Sequence, residues 1–255
     1  MKFLNLAAAA ALLCGACAPC AQASLQFDQN VTNSVIFGSG NANGGFTVDR
    51  ANGVEVGLRA KIRWPAPQST YLSQGDGTYG AFDAGNFGPG GNRASWSFDW
   101  SINTDYLGTS GLNLDDLTYS LSIDYSPGPG INALTFDPIN VAYADHSIGD
   151  NSTPDNGGAE AADAAGYSTL IANNNLAQNS WQLNFFTGPE SFDPSVSGNY
   201  FVTLSASDLN GVIASTRIQV LVGDAGAVPE ATSLAAWSGL SIAGAYFWRR
   251  RRRSA

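Results

Sequence analysis

Beyond residue 23 this 255-residue chain has no cysteine, because all three (Cys14, Cys17 and Cys20) fall within the first twenty positions. That excludes a disulfide framework, a zinc–thiolate centre and a cysteine nucleophile for the bulk of the chain. Histidine is almost as scarce. His146 is the only one, it sits in a polar stretch after Asp145, and no serine occupies a Gly-x-Ser-x-Gly elbow. A hydrolytic triad would have to recruit that single residue, and a lone loop histidine reads as a solvated or turn residue. Glutamates number four: Glu55, Glu160, Glu190 and Glu230. Glu55 falls on the polar face of an alternating run, Glu160 at the start of a helical pattern and Glu190 in a loop after Pro189. None lies among apolar aromatics, as a carboxyl raised for general-acid work would. Asp115 and Asp116 are adjacent, and neighbouring strand side chains diverge. No catalytic residues are assigned, and the expectation is a protein that is not an enzyme.

Positive charge is also scarce where it matters. Six of the twelve basic residues lie at the two ends: Lys2, and Arg249, Arg250, Arg251, Arg252 and Arg253. Residues 24–227 keep Arg50, Arg59, Lys61, Arg63, Arg93 and Arg217 against twenty acidic side chains, a balance of −14. A domain so acidic repels nucleic acid and anionic lipid. Its acidity fits solubility outside the cell or binding of a divalent cation.

The ends have their own grammar. Lys2 precedes an Ala-rich apolar stretch from Leu4 to Leu13, and Ala21-Gln22-Ala23 offers small residues at the two positions a signal peptidase reads. Residues 1–23 read as a signal peptide cleaved before Ser24; a lipid-bearing Cys17 is the rival, with Cys14 where a Leu-like residue belongs. At the other end, Val228-Pro229-Glu230 leads into Ala231 to Trp248, eighteen residues without charge, then the five arginines. That length is near the minimum for a transmembrane helix. Tyr246, Phe247 and Trp248 suit the membrane interface. The cluster Arg249, Arg250, Arg251, Arg252 and Arg253 favours the cytoplasmic side, leaving the preceding domain outside.

Between the ends, period two dominates. Val54, Val56, Leu58, Ala60, Ile62 and Trp64 alternate with Glu55, Gly57, Arg59, Lys61 and Arg63; Trp96, Phe98, Trp100 and Ile102 alternate with Ser97, Asp99 and Ser101. Leu117 to Tyr125, Trp181-Leu183-Phe185, Tyr200 to Ala206 and Thr216 to Val222 repeat the pattern. Each run predicts a strand with one buried and one wet face, and Asn210-Gly211 predicts a hairpin between the last two. The fold expected for residues 24–224 is all-β: an antiparallel β-sandwich, immunoglobulin-like or jelly-roll-like, with one short helix over Glu160 to Ala172. That helix would use Ala164, Tyr167, Leu170 and Ile171 as its apolar face and lie across one end. Residues 225–255 form the tail.

Two long polar stretches, Pro65 to Asn92 and Asp145 to Gly158, read as loops, and loops of that length often carry function. Tyr71, Tyr79, Phe82 and Phe87 lie out of strand phase in the first and are the candidates for contact with a glycan. Trp64, Trp96, Trp100 and Trp181 are in phase with the apolar face and read as core. Oxygen donors in turns make Asp208 and Asn210 the calcium candidates, with Asp150-Asn151, Asp155-Asn156 and Asp193 as further donors; no complete twelve-residue calcium loop is present, since Gln219 stands at its closing position. Calcium is the only cofactor suggested. Phe136-Asp137-Pro138 and Phe192-Asp193-Pro194 echo one another as turn chemistry.

Val228-Pro229-Glu230, the apolar segment and the arginine cluster together resemble the PEP-CTERM sorting domain of bacteria that make extracellular polysaccharide, a tail also labelled as an ice-binding protein C-terminal domain. The family pattern is Val-Pro-Glu-Pro, and Ala231 stands where the second proline belongs. The resemblance implies an exosortase-type membrane protease as partner, with Pro229 and Glu230 as its recognition residues. It makes Arg249, Arg250, Arg251, Arg252 and Arg253 the stop signal. It covers about a tenth of the chain. Asn179-Ser-Trp-Gln-Leu, Phe192-Asp-Pro-Ser-Val-Ser-Gly-Asn-Tyr and Ile218-Gln-Val-Leu-Val are similar to ectodomains that travel with such tails; the regular threonine rows of ice binding are absent. The expectation is an exported cell-surface or exopolysaccharide-matrix protein with a structural or adhesive role. The alternatives are a carbohydrate-binding module or glycosidase and a calcium-dependent adhesion domain.

Overall fold

Short alternating runs separated by glycine-, asparagine- and proline-rich turns fold into eleven strands among residues 25–126, 134–186 and 196–226, the segments described by the computed structural model. In chain order they are β1 (Gln26–Gln29), β2 (Phe46–Ala51), β3 (Val54–Ile62), β4 (Thr78–Phe82), β5 (Trp96–Asn103) and β6 (Thr118–Ser126). β7 (Leu134–Phe136), β8 (Ser147–Gly149), β9 (Leu176–Trp181), β10 (Gly198–Asp208) and β11 (Gly211–Val222) complete the set, and α1 (Ala164–Asn173) precedes β9.

The expectations for the two ends fall outside the described residues. These are the signal segment with Ala21, Ala23 and Ser24 at its cleavage point, and the sorting residues Val228, Pro229 and Glu230. The apolar Ala231 to Trp248 segment and the stop-signal residues Arg249, Arg250, Arg251, Arg252 and Arg253 lie outside them too, as do Glu190 and Phe192-Asp193-Pro194. Among the described residues no helix is long and apolar enough to cross a membrane.

The strands form two sheets, one of six in the order β1-β2-β3-β5-β9-β8 and one of five in the order β4-β11-β10-β6-β7. They share an apolar core in which Val56, Leu58, Phe98 and Trp100 meet Leu121, Ile123, Val202, Leu204 and Val220, all but fully buried. The sheets approach closely enough near β2 for the Thr216 hydroxyl to donate to the Thr47 carbonyl (2.9 Å) and the Ser215 amide to donate to Asp49 (2.7 Å). All pairings are antiparallel except β4 with β11, which is parallel.

Turn chemistry fixes the hairpins. β10 and β11 pair from Gly198↔Val222 to Asp208↔Gly211, and the Asp208 carboxylate closes the turn by accepting from the amides of Asn210 (2.7 Å) and Gly211 (3.1 Å). The β2–β3 hairpin turns on Asn52 and Gly53, whose φ of 52° and 83° give the left-handed pair that a two-residue turn between twisted strands requires. Asp137 likewise accepts from the Ile139 and Asn140 amides (both 2.8 Å), so Phe136-Asp137-Pro138 is indeed a turn.

Several expectations are corrected. Pro65 to Asn92 contains β4, and Asp145 to Gly158 contains β8; each is a short run that gains its order by pairing with a longer strand rather than from its own pattern. Trp181, Leu183 and Phe185 do not continue one strand, because the chain leaves β9 at Trp181 and winds into a 3₁₀ turn over Leu183–Phe185. The helix starts four residues later than its pattern suggested. Asp163 caps it, its carboxylate accepting from the Gly166 amide (2.8 Å), which leaves Glu160 outside and Ala164 exposed. Tyr167 and Ile171 carry the buried face, and the Tyr167 hydroxyl donates to the Ile139 carbonyl (2.8 Å).

The largest correction concerns the face expected to be wet. β10 alternates buried and part-exposed residues along most of its length, as a half-buried strand should. β3 and β5 are buried at almost every position, because residues 30–45 lie across the outer face of the six-stranded sheet. Gly57 makes room for that segment: a Cβ there would come within 2.8 Å of the Val31 side chain.

Candidate functional site

The covering segment is held by the polar side chains it buries. Glu55, expected on a wet face, is fully buried; it accepts from the Thr32 amide (2.7 Å) and hydroxyl (2.8 Å) and pairs with Arg50 at 2.6 Å. Burial pushes its carboxyl above the usual range against those stabilising partners. Gln178 accepts from the Ile36 amide (2.8 Å) and donates to the Ser34 carbonyl (3.0 Å), and Asn103 donates to Asn151 (2.8 Å).

At the centre of this face Arg59 and Lys61 share one carboxylate. Asp99 Oδ2 lies 2.7 Å from Arg59 Nε and 2.9 Å from Lys61 Nζ, with all three side chains buried. Arg59 also donates to the carbonyls of Ala42 (2.8 Å) and Gly44 (2.7 Å), and Lys61 to the Asn41 side-chain oxygen. Burial alone would push the Asp99 carboxyl up; Lys61 and Arg59 outweigh it and hold the group below its usual range. For Lys61 burial wins over the attraction of Asp99, and its ammonium is pushed down. Two cationic groups on one buried anion leave this face locally short of negative charge.

Beyond that triad the covering segment stops short, and a cleft of about 420 Å³ opens, within the usual size range of small-molecule sites. Ser180 and Gln182, from β9 and the residue after it, lie along its base, and Asn41 and Phe37 of the covering segment border it. Arg63 follows β3 and Arg93 precedes β5, whereas Asp145 precedes β8 and Glu160 follows Ala159, which bridges Ile148 of β8. All four line the cleft, and β9 lies between the two pairs in the sheet order. Among the described residues neither arginine has a carboxylate within ion-pair distance. Phe185 stands at the rim with 56% of its surface exposed. Gln182 is 4% exposed, yet neither its amide oxygen nor its amide nitrogen has a hydrogen-bond partner. A buried primary amide without partners is costly, which marks this as a place where a further polar group fits.

The residues singled out from sequence fall elsewhere. Tyr79 and Phe82 are buried in β4, the Tyr79 hydroxyl donating to the Gly45 carbonyl (2.5 Å), and burial lifts it far above its usual pKa. The register shifts between Val220 and Val222 of the partner strand, so residues three apart both turn inward and no period-two signal reveals them. Tyr71 packs on Phe82 at 5.1 Å and donates to the Gly80 carbonyl (2.6 Å), while Phe87 is half-buried beside its bridge to Arg93. These four do not form an exposed aromatic platform.

His146 is not solvated either. It is 1% exposed and stacks edge-on against Trp100 at 4.8 Å. Ser180 donates its amide to Asn179 Oδ1 (2.7 Å), which turns Asn179 Nδ2 toward His146 Nδ1 (3.1 Å). Nδ1 therefore accepts, and Nε2 donates to the Pro138 carbonyl (2.7 Å). Both nitrogens are committed in the neutral form, and burial depresses the pKa further. Asp208 and Asn210 sit at the β10–β11 tip, with the Asp208 oxygens engaged by Asn210 and Gly211. Asp150 and Asp155 are likewise taken up, by Ser152 and by the Val35 amide (3.1 Å). Among the described residues no group of three or more His, Cys, Asp or Glu side chains is placed to hold a metal ion. Comparison with family models, with curated proteins and with solved structures finds no match to this chain.

Proposed function

We propose that this chain is an exported, tail-sorted protein of the bacterial surface or exopolysaccharide matrix, whose domain has an adhesive rather than a catalytic role. The domain is read as a β-sandwich of the broad immunoglobulin-like or jelly-roll-like kind, residues 24–224, after a signal peptide cleaved between Ala23 and Ser24. The address rests on sequence: Val228-Pro229-Glu230, the apolar Ala231 to Trp248 segment, then Arg249, Arg250, Arg251, Arg252 and Arg253, in that order. An exosortase-type membrane protease is its processing partner, and the tail holds the chain in the membrane until it is removed.

The observation that carries the adhesive reading is the contrast between locked titratable groups and an unlocked polar cleft. His146 has both ring nitrogens occupied and Glu55 is tied to Thr32 and Arg50, so neither is available to move a proton for a substrate. Gln182, Arg63 and Arg93 in contrast present hydrogen-bonding capacity that the described part of the protein leaves unused. Unused hydrogen-bonding groups of this kind support a binding role.

The sorting half is tested in the native host by following processing and location. Pro229→Ala or Glu230→Ala is expected to leave full-length protein in the membrane fraction. If both variants are processed and located like the unaltered chain, the sorting reading is wrong.

A further inference from the structure

We infer that the cleft between the covering segment and β8 is a binding site for a carboxylated sugar residue, the carboxylate held by Arg63 and Arg93 and the hydroxyls by Gln182, Asp145 and Glu160. This deepens the adhesive reading and rests on it for the polymeric source of the sugar, while the recognition chemistry follows from the cleft alone.

Charge distribution gives the first argument. In a segment carrying twenty acidic and six basic side chains, Arg63 and Arg93 line the cleft, and Arg59 and Lys61 lie next to it under Asn41, Ala42 and Gly44 of the covering segment. The two deep cations share a single carboxylate, and among the described residues the two at the cleft wall have none. A planar guanidinium without a partner is matched in shape and charge to a carboxylate, which it can grip with two parallel hydrogen bonds. The arginine side of the cleft therefore favours an anion within an otherwise acidic domain.

The opposite wall supplies the second argument. Asp145 and Glu160 would repel a simple anion brought close to them, yet they are good acceptors for hydroxyl groups. A ligand satisfying both walls carries a carboxylate at one end and hydroxyls at the other. Gln182 can both donate to and accept from a hydroxyl pair, and its present lack of any partner is met by such a ligand. Phe185, exposed at the rim beside this polar base, offers an apolar ring of the kind against which the C–H face of a sugar packs.

The test uses the full chain purified in detergent and calorimetric titration with three probes: a galacturonate trisaccharide, the same trisaccharide with its carboxyls reduced to alcohols, and acetate. The acidic trisaccharide is expected to bind, and the reduced one to bind about tenfold or more weakly, the scale of losing charge-assisted hydrogen bonds. The double variant Arg63→Gln/Arg93→Gln is expected to lose that preference, binding both trisaccharides with similar weak affinity. Gln182→Leu is expected to weaken both to a similar degree; its unchanged melting temperature checks that the fold survives. Equal affinity for acidic and reduced forms, or no binding of either, overturns the proposal. Acetate competing as strongly as the trisaccharide also overturns it, by reducing the cleft to a simple anion site. None of these outcomes depends on tail processing, so failure here and failure of sorting are told apart.

Discussion

The two sheets solve the same problem in opposite ways. In the five-stranded sheet β10 and β11 keep most of their apolar residues on the shared core and leave the other face part-exposed; there Arg217 lies over the ring of Phe201 at 4.3 Å. In the six-stranded sheet the second face carries Glu55, Arg59, Lys61 and Asp99 as well, but residues 30–45 seal it. The same alternation of apolar and polar residues therefore produces a wet surface in one sheet and a buried electrostatic network in the other. Charges that are cheap in water become structural once covered, since each must then find a partner inside the protein. The cleft lies where that covering ends, which is why it inherits unpaired polar groups.

The sharpest way to break the comparison is to remove one member of the buried triad. Asp99→Asn leaves Arg59 and Lys61 buried without their counter-charge, and the expected loss of unfolding free energy in urea is about 3–5 kcal/mol. The matching change on the open sheet, Arg217→Gln, is expected to cost about 1 kcal/mol or less, since it removes only an exposed cation–ring contact. Lys61→Met sharpens the point: it leaves an Arg59–Asp99 pair balanced in charge and should cost less than Asp99→Asn. If Asp99→Asn and Arg217→Gln cost the same, the covered face is not a dry network.

The inner faces should show no such contrast. Leu58 of β3 and Leu204 of β10 are both fully buried in the shared core. Each change to alanine removes similar apolar contacts and leaves a cavity, so each is expected to cost about 2–5 kcal/mol by the same denaturation measurement. A large inequality between them would mean that the two sheets do not contribute equally to one core.

Most of the framework was legible in the sequence. The alternating runs of β3, β5, β6, β10 and β11 emerge as strands because period two is a direct consequence of backbone geometry, and Asp208 to Gly211 turn as their residue types dictate. The short strands β4 and β8 were not legible, because their order comes from pairing with β11 and β9. Nor was the cleft. Gln178, Ser180 and Gln182 do continue the polar phase of β9, but only the path of residues 30–45 decides that Gln178 is satisfied while Gln182 is not. Arg63 and Glu160 are brought to one cleft from nearly a hundred residues apart by a sheet order that no local pattern encodes.

His146 supplies the finest distinction, since it is the one histidine and it lies on the inner side of the covered sheet against Trp100. Burial holds its pKa below the ordinary 6.5, while the Pro138 carbonyl and Asp145 oppose that depression. The unfolded chain takes up a proton as pH falls through 6.5, whereas the folded chain resists until lower pH. This contribution to stability is therefore complete above 6.5 and is lost below it, with a slope of at most about 1.4 kcal/mol per pH unit for one proton. Glu55 acts in the opposite sense: its raised pKa means that the folded form gains stability as pH falls through that value toward 4.5. The two are separated by difference. Urea unfolding of the unaltered chain and of His146→Gln between about pH 7.5 and 5 should converge as pH falls, the unaltered chain losing an advantage that the variant never had. A gap that stays constant over that range would show that His146 is not held neutral by its surroundings, and would remove it from the dry core that the six-stranded sheet shares with its partner.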